Sequence, residues 1–330
     1  MATPHPSTPS PPPAPQSQAP GLPEDLEHTR IRTNGVELHA VLAGPVDGPL
    51  VLLLHGFPEF WYGWRYQLGA LAQAGYRVVA PDQRGYNTSD KPDGLSAYTL
   101  RELGRDVVGV LDHFGVGRGL LVGHDWGGAV AWSTALQHPD RVARLAVLNL
   151  PHPIVFARAV RSYRQLRRSW YILAFQVPWL PEWFLRRNDF GALTTTLRHS
   201  IAPGRITAQD LDVYRQAYGQ PGALTAMLAW YRAAVRRPDA PLRQRRVAVP
   251  TCLIWGKRDT ALGWEMAAPS LDYCDNGRLH LLEQAGHFVQ HDAWDEVNRL
   301  LLAHLGPAVE HGAEARVQGA RRDGPDRHGA

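Results

Sequence analysis

Residue types near three glycine-containing turns could together attack an electrophilic carbon and hydrolyse the resulting ester. The first turn, VGHDWGG, places Asp125 between Gly123 and Gly127. This is the spacing of a nucleophile elbow, a strained strand-to-helix turn that lifts one side chain above a sheet. An aspartate at that point is already ionised at neutral pH, so it attacks carbon without a base and becomes an ester. Asp125 is therefore the predicted nucleophile.

An acid and a histidine follow in the chain order that this chemistry requires. Asp259 ends the stretch WGKRD, just after one predicted strand, and His287 lies in AGHF, just after the last strand. We predict that His287 deprotonates the water that hydrolyses the ester, while Asp259 holds the imidazole tautomer and stabilises its positive form. Each residue alone is more often structural, but their joint position at ordered strand ends favours the catalytic interpretation.

Two backbone amides are predicted to stabilise the oxyanion formed during ester hydrolysis. The stretch HGFPEFW follows the first long buried strand and places the Phe57 N–H next to the turn. With the N–H of Trp126, the residue after Asp125, it would form an oxyanion hole.

Short apolar runs predict the strands that position these residues. Continuous runs ending near Gly or Asp indicate strands buried on both faces, as in parallel sheets. They occupy 48–56, 76–82, 119–125, 142–150 and 249–256, with a last strand in 278–287 and an alternating edge hairpin at 36–43. Between two of these runs, Thr99 and Glu102 predict a capping box for a helix that Gly115 ends. Strands alternating with helices predict a doubly wound α/β sheet.

A long interruption of the strand pattern predicts an inserted subdomain. Between the predicted strands at 142–150 and 249–256, the chain has apparent helices rich in Arg, Trp and Tyr. An insertion of that length over the strand ends would form a lid above the site. We predict disordered tails at 1–24 and 307–330, an α/β core of 25–150 and 247–306, and a helical cap at 151–246.

Composition excludes several classes of protein. The net charge of +4 is too small to indicate a nucleic-acid partner, although residues 151–247 hold 16 Arg against 5 Asp and Glu. No apolar run is long enough for a stable membrane anchor, and the Pro-rich start does not resemble a secretory signal. Cys252 and Cys274 indicate neither a disulfide framework nor a metal site, so we expect a cytoplasmic protein without cofactor or metal.

The quoted stretches resemble those of the α/β-hydrolase superfamily and, within it, of the epoxide hydrolases. The resemblance covers about residues 28–305 and is carried by HGFPEFWYGWRYQ, YRVVAPDQRGYNTSDKP and VGHDWGG. It implies the α/β-hydrolase fold with an inserted cap, and conversion of a small-molecule epoxide and water to a vicinal diol. Phe57, Pro58, Trp126 and Trp170 are expected at the substrate site, and the oligomeric state stays open.

The resemblance also selects two cap tyrosines as donors to the epoxide oxygen. Opening an epoxide leaves an alkoxide that a phenol hydroxyl can protonate. The stretches WYILAFQ and LAWYRA are similar to the family segments that carry such tyrosines, and they contain Tyr171 and Tyr231. Three further cap tyrosines compete for this role, namely Tyr163, Tyr214 and Tyr218.

Haloalkane and haloacid dehalogenases resemble the chain at the same aspartate elbow. Haloalkane dehalogenases usually carry Asn or Glu where this chain has Phe57, and haloacid dehalogenases carry Arg where it has Trp126. The indole N–H of Trp126 would nevertheless suit a halide. A non-catalytic binding protein on the same fold is a further alternative, which intact Asp125, Asp259 and His287 disfavour.

Overall fold

The predicted apolar runs form one sheet in the computed structural model, which describes residues 22–23, 26–239 and 244–308. The strand order is β1-β2-β4-β3-β5-β6-β7-β8, antiparallel among the first three strands and parallel from β4 onward. The strands are β1 (Glu27–Thr33), β2 (Val36–Ala43), β3 (Leu50–Leu54), β4 (Arg77–Pro81), β5 (Gly119–His124), β6 (Val142–Leu148), β7 (Thr251–Gly256) and β8 (Gly277–Leu282). The mostly parallel α/β sheet is thus confirmed, and the predicted tails lie almost wholly outside the described residues.

The observed sheet differs from the predicted one in the position of the 36–43 strand relative to the sheet edge. The run at 36–43 is not itself an edge, because β1 pairs with it on one side and β4 on the other. This position explains why β2 is mostly buried. At the opposite edge β8 is only partly buried, as expected for a strand with one neighbour.

Twelve α-helices connect and cover these strands in the described residues. Those outside the cap are α1 (Arg65–Gln73), α2 (Leu100–His113), α3 (Trp126–Gln137), α10 (Ala267–Leu271), α11 (Val289–Asp292) and α12 (Trp294–Leu305). Those between β6 and β7 are α4 (Pro153–Ala159), α5 (Tyr163–Arg168), α6 (Trp170–Ala174), α7 (Leu180–Ser200), α8 (Ala208–Tyr218) and α9 (Ala223–Arg236). Helix α7 is interrupted at 187–190, where three consecutive residues have positive φ.

The N-terminus of α2 differs from the capping box that its sequence predicts. Thr99 is extended, as an N-cap residue should be, but its side chain makes no capping hydrogen bond. Glu102 instead contacts Arg105, and the Asp239 carboxylate accepts a hydrogen bond from the Arg101 N–H at 3.3 Å. A carboxylate from the end of the cap therefore satisfies the helix donors that the local sequence was expected to satisfy. Gly115 ends the helix with φ +66°, as predicted.

The helices between β6 and β7 lie on the loops that follow the parallel strands. The Trp230 indole donates to the Arg84 carbonyl at 3.1 Å, and the Tyr62 hydroxyl donates to Asp210 at 2.6 Å. Gln165 of α5 donates to the Ala261 carbonyl at 2.9 Å. These helices, called the cap below, thus cover the end of the sheet where the candidate residues lie. Among the described residues, no helix is both long and apolar enough to cross a membrane.

Candidate active site

The turn between β5 and α3 holds Asp125 in a strained conformation. Its φ of 48° and ψ of −122° lie outside the regions that non-glycine residues prefer. The neighbouring glycines make this turn possible: a Cβ on Gly127 would overlap the Leu54 carbonyl, and one on Gly123 would overlap the Gly127 carbonyl. The sequence therefore folds into the elbow because its two glycines allow the backbones of β3, β5 and α3 to meet.

The two carboxylate oxygens of Asp125 have different environments. Oδ1 accepts a hydrogen bond from the Phe57 N–H at 2.9 Å, whereas Oδ2 lies 3.6 Å from Nε2 of His287. Trp126 is the first residue of α3, where backbone N–H groups have no acceptor within the helix. Oδ1 thus contacts one of the two amides of the predicted oxyanion hole, and Oδ2 faces His287.

His287 and Asp259 form a buried pair beside the elbow. Nδ1 of His287 lies 2.8 Å from Oδ2 of Asp259, and Oδ1 of Asp259 accepts hydrogen bonds from the backbone N–H groups of Ala261 and Leu262, each at 2.8 Å. Nδ1 is thereby fixed toward Asp259, and Nε2 faces Asp125. The structure thus brings together the three residues that the sequence selected from three distant turns.

Asn149 is a further residue at this site that the sequence reasoning missed. It follows β6 with φ 47°, and its amide donates to Oδ2 of Asp259 at 2.7 Å and to the Gly286 carbonyl at 3.1 Å. The N–H of Gly256 donates to its side-chain oxygen at 3.2 Å. Asn149 thereby connects the acid to the loop that carries His287. Its only sequence signal is its position at the end of a buried strand.

Two carboxylates on opposite sides determine the charge state of His287. Burial lowers the pKa of this imidazole, but the opposing effects of Asp259 and Asp125 are stronger together and raise it well above its usual value. Burial likewise raises the pKa of Asp125, and the hydrogen bond to His287 with its charge lowers it overall. The two carboxylates therefore favour the protonated form of this imidazole.

Glu59, within the HGFPEFW stretch, lies at the centre of a buried polar network behind the site. Its Oε1 accepts from the Tyr214 hydroxyl at 2.9 Å and lies 2.6 Å from Nε2 of His291, and its Oε2 accepts from Gln290 at 2.7 Å. Oε2 also lies 3.4 Å from Nδ1 of His124, whose Nε2 is 2.8 Å from the His287 carbonyl oxygen. The network thus links the loop that contains Phe57, the turn that contains Asp125 and the loop that contains His287.

Replacing Glu59 with glutamine should destabilise the fold by about 1–3 kcal/mol at pH 7, because buried donors would lose a charged acceptor. Burial raises the pKa of Glu59, but His291 and His124 bring it well below the usual value. Since the folded pKa is depressed, the stabilisation is present above the unfolded pKa of about 4.3 and disappears as pH falls through the folded value.

The difference in free energy of unfolding between wild type and Glu59→Gln should therefore shrink below about pH 4. Urea unfolding from pH 3 to pH 7 measures this difference. Glu283→Gln is the matched control, because this glutamate is exposed and contacts Lys257 at the surface; its effect should stay within about 0.5 kcal/mol. A constant difference for Glu59→Gln across the whole pH range would contradict the assignment.

A cavity of about 730 Å³ lies between the elbow and the cap. Asp125, Trp126, Tyr171 and Tyr231 all line it, together with mainly apolar side chains of α4, α6 and α9. This volume is in the range of small-molecule sites. An apolar ligand held there would be in contact with Asp125 and with the cap tyrosines.

Tyr171 and Tyr231 form an aromatic cluster in this cavity. Their ring centroids are 5.9 Å apart, and Tyr231 also packs at 5.0 Å against Trp126 and at 5.2 Å against Phe57. Burial, with a smaller effect of the Asp125 charge, raises the pKa of both hydroxyls above the usual value. Both phenols therefore stay protonated at neutral pH and can act as donors.

The structure places the competing tyrosines away from the cavity. Tyr163 is exposed, the Tyr214 hydroxyl is occupied by Glu59, and Tyr218 is buried in the cap against Phe190. Trp170 is also outside the cavity lining, with 65% of its surface exposed.

Three of the four residues expected at the substrate site, Phe57, Pro58 and Trp170, therefore do not line the cavity. Trp170 precedes Tyr171 on α6, and successive helical residues point in different directions. Pro58 is buried, follows a cis peptide bond and does not line the cavity. Phe57 contributes its N–H and packs on Tyr231, and Trp126 contacts the cavity directly.

Known proteins share this fold and much of this sequence. The alpha/beta hydrolase fold family matches residues 49–293. The AB hydrolase superfamily protein YfhM of Bacillus subtilis is 44% identical over 276 residues, which cover 83% of this chain and 96% of that protein. Human Epoxide hydrolase 4 is 42% identical over 285 residues, covering 84% and 78% of the two chains.

Solved structures agree with these sequence relatives. The crystal structure of the Bacillus megaterium epoxide hydrolase in complex with an inhibitor is 32% identical, with a TM-score of 0.78 over 84% of this chain and 99% of that one. Epoxide Hydrolase A from Mycobacterium thermoresistibile is 33% identical, with a TM-score of 0.73 over 85% and 98%. The chain is therefore a hydrolase of the α/β-hydrolase fold and belongs to the epoxide hydrolase family.

Proposed function

We propose that the protein converts epoxides to vicinal diols through an ester of Asp125. One observation carries the proposal: Asp125, Tyr171 and Tyr231 line one mainly apolar cavity. This combination suits the opening of an epoxide, since one carbon–oxygen bond forms while the ring oxygen gains a proton. Relatives named epoxide hydrolases support the same substrate class.

In the first step, Oδ2 of Asp125 attacks the less hindered ring carbon. The bond from that carbon to the ring oxygen breaks, and the oxygen takes a proton from Tyr171 or Tyr231. The carboxylate becomes a neutral ester, and the donor becomes a phenolate. His287 still carries its extra proton, which can restore the phenolate and leave a neutral imidazole.

In the second step, the neutral imidazole of His287 acts as a base. Forming the ester removes one of the two negative charges that raised its pKa, so the imidazole releases its proton more readily. It deprotonates a water that attacks the carbonyl carbon of the ester, while the Phe57 and Trp126 amides hold the oxyanion. The bond between that carbon and Oδ2 then breaks, the diol leaves with Oδ2, and the proton of the new carboxyl group passes to the diol.

A single turnover in heavy-oxygen water tests the covalent route. The diol formed in the first turnover should carry unlabelled oxygen, because its new hydroxyl comes from Asp125, and label should appear in Asp125 itself. Mass spectrometry of the product and of the peptide containing Asp125 measures both. Solvent oxygen in the first diol would instead indicate direct attack by water and would rule out the ester.

Replacing Tyr171 or Tyr231 with phenylalanine should slow epoxide opening by about 10-fold to 100-fold, and the double variant by about 10²–10⁴-fold. The phenol-to-phenyl change removes the proton donor and keeps the ring packing. Tyr163→Phe is the matched control, since this tyrosine is exposed on the cap. Single-turnover diol formation measures the effect. Release of halide from a bromoalkane, at a rate independent of both tyrosines and exceeding diol formation, would favour the dehalogenase alternative.

A further inference from the structure

Exposed apolar side chains are concentrated in one stretch of the cap. Among the residues that the structure describes, eleven large hydrophobic side chains are exposed, and nine of them lie between positions 163 and 184. They are Tyr163, Leu166, Trp170, Leu173, Val177, Trp179, Leu180, Trp183 and Phe184. Single exposed hydrophobic residues are ordinary, but such a concentration marks an interaction site.

The charged residues of the same stretch are almost all arginines. Residues 163–187, called the exposed cap segment below, contain five Arg and one acidic residue. That acidic residue, Glu182, is buried and makes a bidentate ion pair with Arg232 at 2.6 and 2.9 Å. Arg164 contacts Glu265 of the core, and the Arg187 guanidinium lies 4.7 Å from the Trp183 ring centre. The exposed cap segment therefore presents cationic and aromatic groups together.

The exposed cap segment also borders the cavity. Leu166 and Leu173 are exposed to solvent and at the same time line the cavity that holds Asp125. An apolar surface thus runs from the outside of the cap into the candidate active site. Whatever covers the segment would lie next to the path of an apolar ligand.

We propose that the exposed cap segment docks reversibly on the surface of an anionic phospholipid bilayer. Tryptophan, leucine and phenylalanine beside arginine are the groups that insert at the boundary of head groups and acyl chains, and arginine is attracted to anionic lipids. A second copy of the chain fits less well, because a two-fold interface would place the five arginines against the same five arginines. Docking would let an apolar ligand dissolved in the bilayer reach the cavity mouth directly.

Vesicle sedimentation of the full chain tests the proposal. Vesicles of phosphatidylcholine with about 30% phosphatidylglycerol should bind the protein at least about tenfold more strongly than pure phosphatidylcholine, and added salt should weaken binding. The triple variant Trp179→Ser, Trp183→Ser, Phe184→Ser should reduce binding to the anionic vesicles at least about tenfold. Val46→Ser, an exposed apolar residue elsewhere on the surface, is the matched control and should bind as wild type does.

Several outcomes would overturn the proposal. One is the absence of binding to anionic vesicles, and a second is binding that the triple variant retains. Sedimentation velocity without lipid supplies another: a dimer that the triple variant dissociates would assign the segment to a second copy. The three substituted residues do not line the cavity, so unchanged turnover of a water-soluble epoxide shows that the variant is folded. Vesicle binding does not require epoxide turnover, and its result stands whether or not the proposed reaction is correct.

Discussion

The Asp125→Ala variant should lose at least about 10⁴-fold in kcat for epoxide hydrolysis while it still binds the substrate. The substitution removes the only atom that forms the proposed bond to the substrate carbon, Oδ2, and leaves the cavity walls in place. Alanine keeps the Cβ, so the backbone strain at φ 48° is unchanged and would not account for the loss of activity. Initial rates and substrate binding by calorimetry measure the two effects separately.

Asp47→Ala is the control for Asp125→Ala, because Asp47 is exposed in the loop between β2 and β3. Its kcat should equal that of wild type. Retention of more than about a tenth of wild-type activity by Asp125→Ala would mean that water attacks the epoxide directly. In that case the carboxylate would only orient water or stabilise charge, and the ester mechanism would be incorrect.

The site residues that could be predicted from the sequence alone are those that lie just after a strand of the sheet. Asp125, Asp259 and His287 each follow a continuous apolar run, and parallel strands bring their carboxyl ends to one edge of a sheet. Chain order and residue type then sufficed to select them. Tyr171 and Tyr231 had no such geometric signal, since cap helices carry several tyrosines, and resemblance to family segments was needed to choose among them.

Positioning residues were not predictable in the same way. Asn149 and Glu59 hold Asp259 and the histidine loop through side chains that come from distant turns. Most of their partners lie more than a hundred residues away in the chain, so no local pattern reveals the contacts. The capping box predicted at Thr99 was wrong for a related reason. The Asp239 carboxylate, from the end of the helical cap, accepts a hydrogen bond at the N-terminus of α2 instead.

The position of Trp170 shows that composition alone does not identify which aromatic residues of the cap line the cavity. Aromatic residues in a lid predict an apolar substrate site, but most tryptophans of the exposed cap segment face solvent. The cavity takes its aromatic wall from Trp126, Trp230 and the two tyrosines instead. Residue type indicated the chemistry of the cap correctly, whereas the side of each helix that faces the cavity required the structure.

The His287→Gln variant should accumulate the ester of Asp125. The first step requires an ionised Asp125 and a tyrosine proton, so ester formation should persist, whereas hydrolysis loses its base and kcat should fall by about 10²–10⁴-fold. Glutamine keeps a side chain of similar size that can still donate toward Asp259. Intact-protein mass spectrometry after mixing with epoxide should show an increase equal to the mass of one substrate molecule.

His199→Gln is the control, because His199 is exposed on α7 and its Nδ1 lies 2.9 Å from the Thr195 carbonyl oxygen one turn earlier. It should turn over normally and show no adduct. The ester interpretation also predicts where the adduct lies, since the double variant Asp125→Ala, His287→Gln should gain no mass. Slow turnover of His287→Gln without any adduct would place the histidine in the first step, as a group that assists ring opening. Because the structure holds Nε2 of His287 3.6 Å from Oδ2 of Asp125, next to the ester that would form there, we expect the ester to accumulate.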